Sequence, residues 1–408
     1  MSAPPATVTA QDVARARAVI GDVARHTPVV PSATLSARTE GDVVLKAENL
    51  QRTGSFKVRG ALNKLAALGS GCARGVVCGS AGNHAQALAF AARERGVACE
   101  VFMPVEAPIA KVEGAAALGA HIHLAGSSVD ECVVAARERA AVGGLAFVHP
   151  FDDPEVVAGQ GTLGLELLDD VPGLAQVIVP LGGGGLAAGV AIAVKAARPA
   201  VRVVGVQIAG CSSFGPSLEA GHPVGVGAGM TIADGIAVKR PGELTLGLVR
   251  DWVDEVIVVG EDETAAAMVL LLEQAKLVVE GAGAVGVAAL LGGHVRAAAS
   301  GTTCVVLSGG NVDAGLLAVL ARRHETEAGR RLVLFTRVPD RPGALAALLA
   351  LLGQTGANLV DVEHVREGLD LHVRETAVQL VLETRGREQS SAVLDRIREA
   401  GYEARVVR

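Results

Sequence analysis

Aromatic residues are scarce in this sequence. The 408-residue chain has one Trp, one Tyr and 7 Phe, which make up 2% of it. Proteins that bind nucleic acid commonly stack bases on aromatic rings and carry clustered positive charge. This chain has a formal net charge of -6. We therefore expect no nucleic-acid partner.

Cysteine is also sparse, and its 6 residues are spread along the chain (Cys72, Cys78, Cys99, Cys132, Cys211 and Cys304). No two of them form a C-x-x-C pair, which excludes a zinc ribbon or a thioredoxin-like motif. Scattered cysteines in a chain of this size are typical of a reduced intracellular protein. The first residues lack the charged-then-apolar order of a signal peptide. We expect a cytoplasmic protein without a metal site.

One uncharged run, residues 171–194, is long enough to cross a bilayer. It contains Pro172, Pro180 and the four consecutive glycines Gly182–Gly185. These residues would interrupt the backbone hydrogen bonds that a membrane helix needs. We therefore interpret the run as a strand, a loop and a helix, and we expect no membrane partner.

Short apolar runs alternate with Ala-rich helical stretches over residues 75–320. This alternation predicts an α/β fold with open, mostly parallel sheets. Hydrophobic residues make up 50% of the chain, enough for a core in each of several domains. Ligands of parallel sheets bind at the carboxyl ends of the strands. The turns that follow the strands are therefore the candidate site.

The pattern changes after the charged segment Arg322–Arg331, which we interpret as a linker. Six further elements follow in the order βαββαβ, with strands at 332–338, 358–365, 376–383 and 403–407 and helices at 342–355 and 390–400. That order is typical of a ferredoxin-like, split-βαβ sandwich. The sequence thus predicts a second, smaller domain after the linker.

Lysine is rare, which limits the candidates for covalent amine chemistry to seven residues (Lys46, Lys57, Lys64, Lys111, Lys195, Lys239 and Lys276). Lys57 follows the turn Thr53–Ser55 and begins a predicted helix. The positive end of the helix dipole disfavours an ammonium group and lowers its pKa. Lys57 is therefore a candidate nucleophilic amine. The alternative is an ordinary solvated lysine.

Three turns follow predicted strands. Gly182–Gly185 lets successive backbone N–H groups face one anion at a helix start. It lacks the Lys-Ser/Thr of a P-loop and the G-x-G-x-x-G spacing of a dinucleotide site, so a phosphate monoester fits better. The turn Ser80–His84 could bind a carboxylate, and Ser308–Asn311 ends a third strand. The alternatives are a tight turn for the glycines and helix capping for the other two.

These segments, together, resemble the threonine dehydratases (threonine ammonia-lyases) among the fold-type-II pyridoxal-phosphate (PLP) enzymes. The matching motifs are, in order, GSFKVRGA, SAGNHAQALA, PFDDPEVVAGQGTLGLEL, PLGGGGLAAGVA, ADGIAVKRPGEL and LSGGNVD. They run through residues 48–313, and their number and order make the resemblance specific.

The resemblance implies a role for each motif. Lys57 would be linked covalently to PLP and would remove the α-proton of the substrate. The other cofactor contacts would be Phe56 beside the ring, Asn83 at the 3′-oxygen, Gly182, Gly183, Gly184, Gly185 and Leu186 at the phosphate, and Ser308 at the pyridine nitrogen. The substrate carboxylate would lie in the turn formed by Ser80, Ala81, Gly82, Asn83 and His84.

The implied reaction is β-elimination of water from L-threonine, which gives 2-oxobutanoate and ammonia, with slower action on L-serine. A serine hydroxyl cannot hold the pyridine nitrogen protonated as a carboxylate would. The ring is then a weaker electron sink, and prompt loss of the β-hydroxyl is favoured over a long-lived carbanion.

The C-terminal segment resembles an ACT domain, through Val338-Pro-Asp-Arg-Pro-Gly343 and the second turn Gly356–Asn358. The resemblance implies an amino-acid effector at a contact between subunits, hence a homo-oligomer, either a dimer or a tetramer. The expected domains are then a catalytic domain at 1–325 with a smaller subdomain at 50–155, a linker at 326–331, and an ACT domain at 332–408.

Two other functions share most of these motifs. A serine racemase needs a second acid/base where this chain has Ala81, and its metal site needs carboxylates where Gln207 and Ser213 stand. A non-catalytic amino-acid sensor has no need of Lys57 and the glycine turn. A β-replacement synthase is disfavoured by the SFKVRGA motif. The sequence does not distinguish an enzyme of isoleucine biosynthesis from one of threonine catabolism.

Overall fold

The computed structural model describes residues 7–227, 229–365 and 372–407, which divide into two compact units after Asp313. The sequence-based boundary, after residue 325, lies inside the second unit. The reason is a helix that begins at Ala314, extends to Glu327 in the expected linker, and contacts the first strand that follows it.

The helices of the first unit are α1 (Ala10–Ile20), α2 (Ala33–Thr39), α3 (Lys57–Leu68), α4 (Asn83–Arg95), α5 (Ile109–Ala117), α6 (Val129–Gly143), α7 (Pro154–Asp170), α8 (Gly185–Ala197), α9 (Phe214–Ala220), α10 (Glu243–Trp252), α11 (Glu261–Leu270) and α12 (Gly281–Leu291). Those of the second are α13 (Ala314–Glu327), α14 (Ala344–Gly353) and α15 (Arg387–Glu399). None of the helices in the described residues is long and apolar enough to cross a membrane.

The strands of the first unit are β1 (Val29–Pro31), β2 (Asp42–Ala47), β3 (Val76–Gly79), β4 (Cys99–Met103), β5 (His121–Leu124), β6 (Ala146–Phe147), β7 (Leu174–Pro180), β8 (Arg202–Ile208), β9 (Glu255–Val259) and β10 (Thr302–Leu307). Those of the second are β11 (Arg331–Pro339), β12 (Asn358–Val365), β13 (Glu375–Glu383) and β14 (Ala404–Val406).

The first unit has two sheets, as the α/β pattern predicts. The larger has the strand order β1-β2-β10-β7-β8-β9 and is parallel except for β1, which pairs antiparallel with β2. The smaller has the order β5-β4-β3-β6 and is parallel throughout. Each sheet has its own apolar core. The smaller sheet lies within the predicted subdomain at 50–155.

Local sequence accounts for the start of the helices that flank the site. Asp153 accepts hydrogen bonds from the N–H groups of Glu155 and Val156, and Pro154 follows at the first helical position of α7. Helix α8 begins after Gly184, whose φ of 92° lies in the left-handed region that favours glycine. The uncharged run at 171–194 is thus β7, a glycine turn and α8, as expected.

The second unit is a four-stranded antiparallel sheet of order β12-β13-β11-β14, with the predicted βαββαβ order after α13. The predicted linker is wrong in part: α13 continues to Glu327, and β11 begins at Arg331. The charged residues Arg322–Glu327 have no apolar periodicity, so the sequence did not indicate a helix there. In the structure, Arg323 pairs with Glu327 one turn later in the helix. Helix α14 begins two residues later than predicted, because Gly343 adopts a positive φ before it, and it ends two residues earlier, at Gly353.

Candidate active site

Lys57 begins α3 beside the turn that follows β10. The Phe56 N–H donates to the Ser308 carbonyl at 3.1 Å, and Ser55 and Gly309 form an antiparallel bridge. The Lys57 Nζ donates to the Pro150 carbonyl at 2.9 Å and lies 5.2 Å from the centre of the Phe56 ring. The lysine motif and the Ser308 turn are therefore neighbours, as the resemblance implies.

The Lys57 amine is easier to deprotonate than an ordinary lysine. Burial lowers its pKa to about 8, although the nearby Glu280 carboxyl acts in the opposite direction. A fraction of the amine is then neutral at physiological pH, which nucleophilic and base chemistry both require. The sequence analysis expected a lowered pKa for this lysine from the helix dipole, and in the structure burial lowers it.

In the glycine turn after β7, neighbouring residues leave no room for a side chain at three of the four glycines. A Cβ added at Gly183 would lie 2.1 Å from the Phe151 ring, and one at Gly184 would lie 2.8 Å from Phe214. At Gly182 it would lie 2.8 Å from Ile236. Within the described part of the chain, the amides of these three residues have no hydrogen-bond acceptor. The turn therefore presents donors at the start of α8, as an anion site requires.

The turn after β3 joins that strand to α4. Ser80 is buried, and its Oγ accepts a hydrogen bond from the Gly82 N–H at 3.3 Å. His84 is buried one residue into the helix, with its Nε2 3.1 Å from the Val148 carbonyl oxygen. Burial, together with the positive charge of Lys57, lowers the pKa of His84 to about 3. His84 is thus a neutral ring near the lysine.

Asn83, the first residue of α4, connects this turn to the end of β10. Its Nδ2 donates to Glu280 Oε1 at 2.7 Å, and its Oδ1 accepts from Asn311 Nδ2 at 2.7 Å. Ser308, three residues before Asn311, is buried, and its Oγ makes a long contact of 3.5 Å with the Ala282 carbonyl. The structure therefore gathers Lys57, Asn83 and Ser308 in one place.

Glu280 is a site residue that our sequence analysis missed. It is buried, with 6% of its surface exposed, and precedes α12. Burial and the Asp234 carboxylate raise its pKa to about 7, while the Asn83 hydrogen bond and Lys111 lower it. A signal was available in the sequence: Glu280 is the single charged residue in the otherwise apolar stretch 277–291.

Residues 150–152 lie in a matching motif, but the sequence analysis assigned them no role. They supply the Pro150 carbonyl that accepts from Lys57 and the Phe151 ring that covers Gly183. The Asp152 carboxylate accepts from the Thr245 N–H at 3.0 Å. This segment therefore connects the lysine to the glycine turn.

A buried ionic network anchors α3 two residues after Lys57. The Arg59 guanidinium donates to Glu48 at 2.8 Å and to Glu166 at 2.6 Å, and Lys46 pairs with Glu166 at 2.7 Å. Although burial alone would raise the pKa of Glu48, the guanidinium holds it below its usual value. Each charge is paired, which is the condition for burying it.

The site combines an amine of lowered pKa, a glycine turn with unpaired amides and a second polar turn. A family model described as pyridoxal-phosphate dependent enzyme matches residues 20–309. The chain therefore belongs to the pyridoxal-phosphate-dependent enzymes. A second model, the ACT domain, matches residues 332–401, so this PLP enzyme carries a C-terminal ACT domain. The predicted fold class and cofactor are both confirmed.

Relatives of this PLP enzyme cover most of its length. The L-threonine ammonia-lyase of Thermotoga maritima is 43% identical over 401 residues, 98% of this chain and 100% of that protein. The catabolic L-threonine dehydratase TdcB of Escherichia coli (strain K12) is 41% identical over 308 residues, which are 75% of this chain and 94% of TdcB. The solved structure of maize serine racemase has a TM-score of 0.74 and 35% identity, and it covers 79% of this chain and 99% of that one.

The residues present fit PLP. The glycine turn offers unpaired amides to a phosphate, and Lys57 offers an amine of lowered pKa to an aldehyde. Ser308 contacts the lysine motif through its carbonyl, which accepts from the Phe56 N–H, and Asn83 is joined to the same turn through Asn311. In the part of the chain that the structure describes, no group of three or more His, Cys, Asp or Glu side chains is placed to hold a metal ion.

Proposed function

We propose that this PLP enzyme is an L-threonine ammonia-lyase, which releases 2-oxobutanoate and ammonia. The observation that carries the proposal is the environment of Lys57: one amine of lowered pKa lies close to the carboxylate-binding turn, and the turn has a methyl group, Ala81, beside Ser80. The relatives named L-threonine ammonia-lyase and L-threonine dehydratase support the substrate.

When bound, PLP supplies an aldehyde that links to an amine and a ring that withdraws electrons from the substrate α-carbon. Lys57 Nζ is the base that takes the α-proton. The β-hydroxyl then leaves as water with the proton that Lys57 took, so that the α-hydrogen and the hydroxyl together make up the water lost. The enamine product tautomerises to an imine, and water hydrolyses the imine to 2-oxobutanoate and ammonia. The water lost and the water added balance.

Each of the other site residues has one task in this proposal. The backbone N–H groups of Gly182–Gly185 and Leu186 hold the phosphate, and the Ser80–His84 turn holds the substrate carboxylate. Ser308 offers a neutral hydroxyl to the pyridine nitrogen. Asn83 offers an N–H to the 3′-oxygen, and Phe56 lies beside the ring. These assignments follow the motif resemblance.

Serine racemase is the second candidate, and the maize enzyme is similar in structure. Racemisation needs a proton donor on the face of the α-carbon opposite to Lys57, and the Ala81 methyl cannot supply one. At the two positions where a racemase would have metal-binding carboxylates, this chain has Gln207 and Ser213, and both side chains form hydrogen bonds with the backbone. Gln207 Oε1 accepts from the Phe214 N–H at 3.0 Å, and Ser213 Oγ donates to the Val238 carbonyl at 2.8 Å.

The regulatory part of the proposal concerns the ACT domain. We propose that it binds an amino-acid effector and that the enzyme works as a homo-oligomer in the cytoplasm. A branched-chain effector would favour a role in isoleucine biosynthesis, whereas its absence would favour threonine catabolism. L-Serine is proposed as a slower second substrate, because it has the same leaving group and lacks only the threonine methyl.

The test is an assay of both substrates with product identification. We expect 2-oxobutanoate and ammonia in equal amounts from L-threonine, and pyruvate more slowly from L-serine. Chiral chromatography of the serine reaction should show pyruvate without accumulation of D-serine. D-serine forming faster than pyruvate would support the racemase instead. A purified protein that binds PLP but turns over neither amino acid would support the sensor.

A further inference from the structure

The Asn83 amide is held at both ends by side chains from distant parts of the chain. Its Nδ2 donates to Glu280 at 2.7 Å, and its Oδ1 accepts from Asn311 Nδ2 at 2.7 Å. Asn311 Nδ2 also donates to the Thr53 carbonyl at 2.8 Å. A backbone carbonyl can only accept, so Asn311 must direct its NH2 group to this side. Asn83 must then present its oxygen to Asn311 and its NH2 group to Glu280.

The carboxyl group of Glu280 is held as an acceptor. It receives hydrogen bonds from the Asn83 side chain and from the Asn311 backbone N–H. An amide NH2 has two N–H donors, and Glu280 takes one of them. The second N–H of Asn83 has no acceptor among the described residues. Glu280 and Asn311 together therefore orient Asn83 so that one donor is available to a ligand.

Two glycines make room for this arrangement. A Cβ at Gly309 would lie 2.4 Å from Glu280 Oε1 and 3.2 Å from Asn83 Nδ2. A Cβ at Gly54, whose φ is 72°, would lie 2.3 Å from Asn311 Oδ1. Both glycines belong to motifs of the candidate site, the lysine turn and the turn after β10. A side chain at either glycine would therefore collide with Glu280 or Asn311, the two side-chain partners of Asn83.

The backbone before Glu280 has two uncommon conformations. Helix α11 passes into a π-helical turn at Leu271–Ala275, and Lys276 then has a φ of 58°, rare for a residue with a side chain. Such turns and strained residues are common near functional sites. From there the chain reaches Glu280, whose N–H donates to the Gly309 carbonyl at 3.1 Å. The strain is consistent with a placement that function requires.

We propose that Glu280 is the positioning residue of Asn83: its carboxyl oxygen fixes the amide so that the free N–H faces the cofactor 3′-oxygen. The inference rests on the proposed function, which makes Asn83 a cofactor ligand. The charged groups around Glu280 are Asp234, Lys111 on α5, and Lys57, whose own pKa it raises. For Asn83, the contribution of Glu280 is the position of its acceptor oxygen rather than its negative charge.

Three variants of Glu280 separate position from charge. Glu280→Gln keeps an acceptor oxygen at the same reach and removes the charge. Glu280→Asp keeps the charge but is one methylene too short for Asn83. Glu280→Ala removes both. When apoenzyme is titrated with PLP, we expect Glu280→Gln to bind PLP with near wild-type affinity. Glu280→Asp and Glu280→Ala should bind it about tenfold more weakly, the effect of one lost hydrogen bond. The visible absorbance of bound PLP should follow the same order.

The opposite order overturns the inference. If Glu280→Asp binds PLP as wild type does and Glu280→Gln is defective, charge is what matters. Equal affinity and equal spectra for all variants would also overturn it. Thermal unfolding of each apoenzyme checks that the variants fold. If Glu280→Ala does not fold, the comparison of Glu280→Gln with Glu280→Asp still tests the inference.

A double-mutant cycle separates this inference from the proposed function. If Glu280 acts through Asn83, Glu280→Asp should cause no further loss of PLP affinity in an Asn83→Ala background. Full additivity of the two losses would overturn the inference and leave the role of Asn83 intact. If Asn83→Ala itself binds PLP as tightly as wild type, the role of Asn83 fails, and the inference fails with it.

Discussion

The two units of this chain bury different kinds of side chain. The catalytic unit buries charged groups, including Lys46, Glu48, Arg59 and Glu280. Among the described residues of the ACT unit, the buried polar side chains are the hydroxyls of Thr336, Thr376 and Ser390. Burying a charge is unfavourable unless it is paired, so a fold keeps such groups where geometry must be exact to a few tenths of an ångström. The difference indicates that the chemistry lies in the first unit.

The sharpest test of that contrast is Lys57→Ala. We expect turnover to fall by at least about a thousandfold, because no other group supplies the amine. Borohydride reduction of the PLP-loaded wild type should label Lys57, and the variant should lose the visible absorbance of bound PLP. Lys64→Ala is the matched control, since Lys64 lies on the same helix and pairs with Asp153. Labelling of a different lysine would contradict the site assignment.

Removal of the ACT unit tests whether the first unit carries the chemistry without the second. A chain that ends at Asp313 should still bind PLP and convert L-threonine, because its cores and site residues are complete. What should disappear is the response to an amino-acid effector, which for a coupling of roughly 1–3 kcal/mol is about 5- to 150-fold in apparent affinity. Activity across an isoleucine and valine titration, with mass in solution, measures both. An unchanged response would place the effector site in the catalytic unit.

The pH dependence of cofactor capture tests whether the catalytic unit lowers the pKa of its amine. With a pKa of about 8, the neutral fraction of Lys57 rises from low pH and levels off above that value. The rate at which apoenzyme takes up PLP should therefore increase roughly fiftyfold between pH 6 and pH 8 and little beyond pH 9. Stopped-flow absorbance measures it. A rate that continues to rise tenfold per pH unit to pH 10 would indicate an ordinary lysine.

Gly183→Ala gives the smallest expected effect and tests packing at the phosphate turn. Its new methyl would collide with the Phe151 ring, and the displaced turn should bind PLP about tenfold more weakly. Gly215→Ala is the control, because a Cβ there meets nothing within 4 Å. Equilibrium titration of apoenzyme with PLP compares the two variants. Equal affinity in Gly183→Ala and wild type would remove the turn from the cofactor site.

Several candidate site residues could be picked out from single segments. Lys57, Gly182–Gly185 and Ser308 each follow a strand or begin a helix, so local patterning made them candidates, and the motif resemblance assigned their roles. Glu280 could not be selected in the same way, because one acidic residue before an apolar helix has no partner within its own segment. Its partners Asn83 and Asn311 come from distant turns. The linker prediction failed in part because the last residues of α13 are charged and show no apolar periodicity, although they continue the helix to Glu327.

The sequence by itself determined the α/β order, because that order follows from periodicity. Its motifs, through their resemblance to known families, indicated a PLP unit followed by an ACT unit and selected Lys57 as the lysine proposed to bind PLP. Only the tertiary structure decided how protons and hydrogen bonds are arranged around that lysine. The pKa of Lys57 depends on burial, and the direction of the Asn83 amide depends on Thr53, Asn311 and Glu280. Solvent exclusion and contacts between distant segments arise only when the chain is folded.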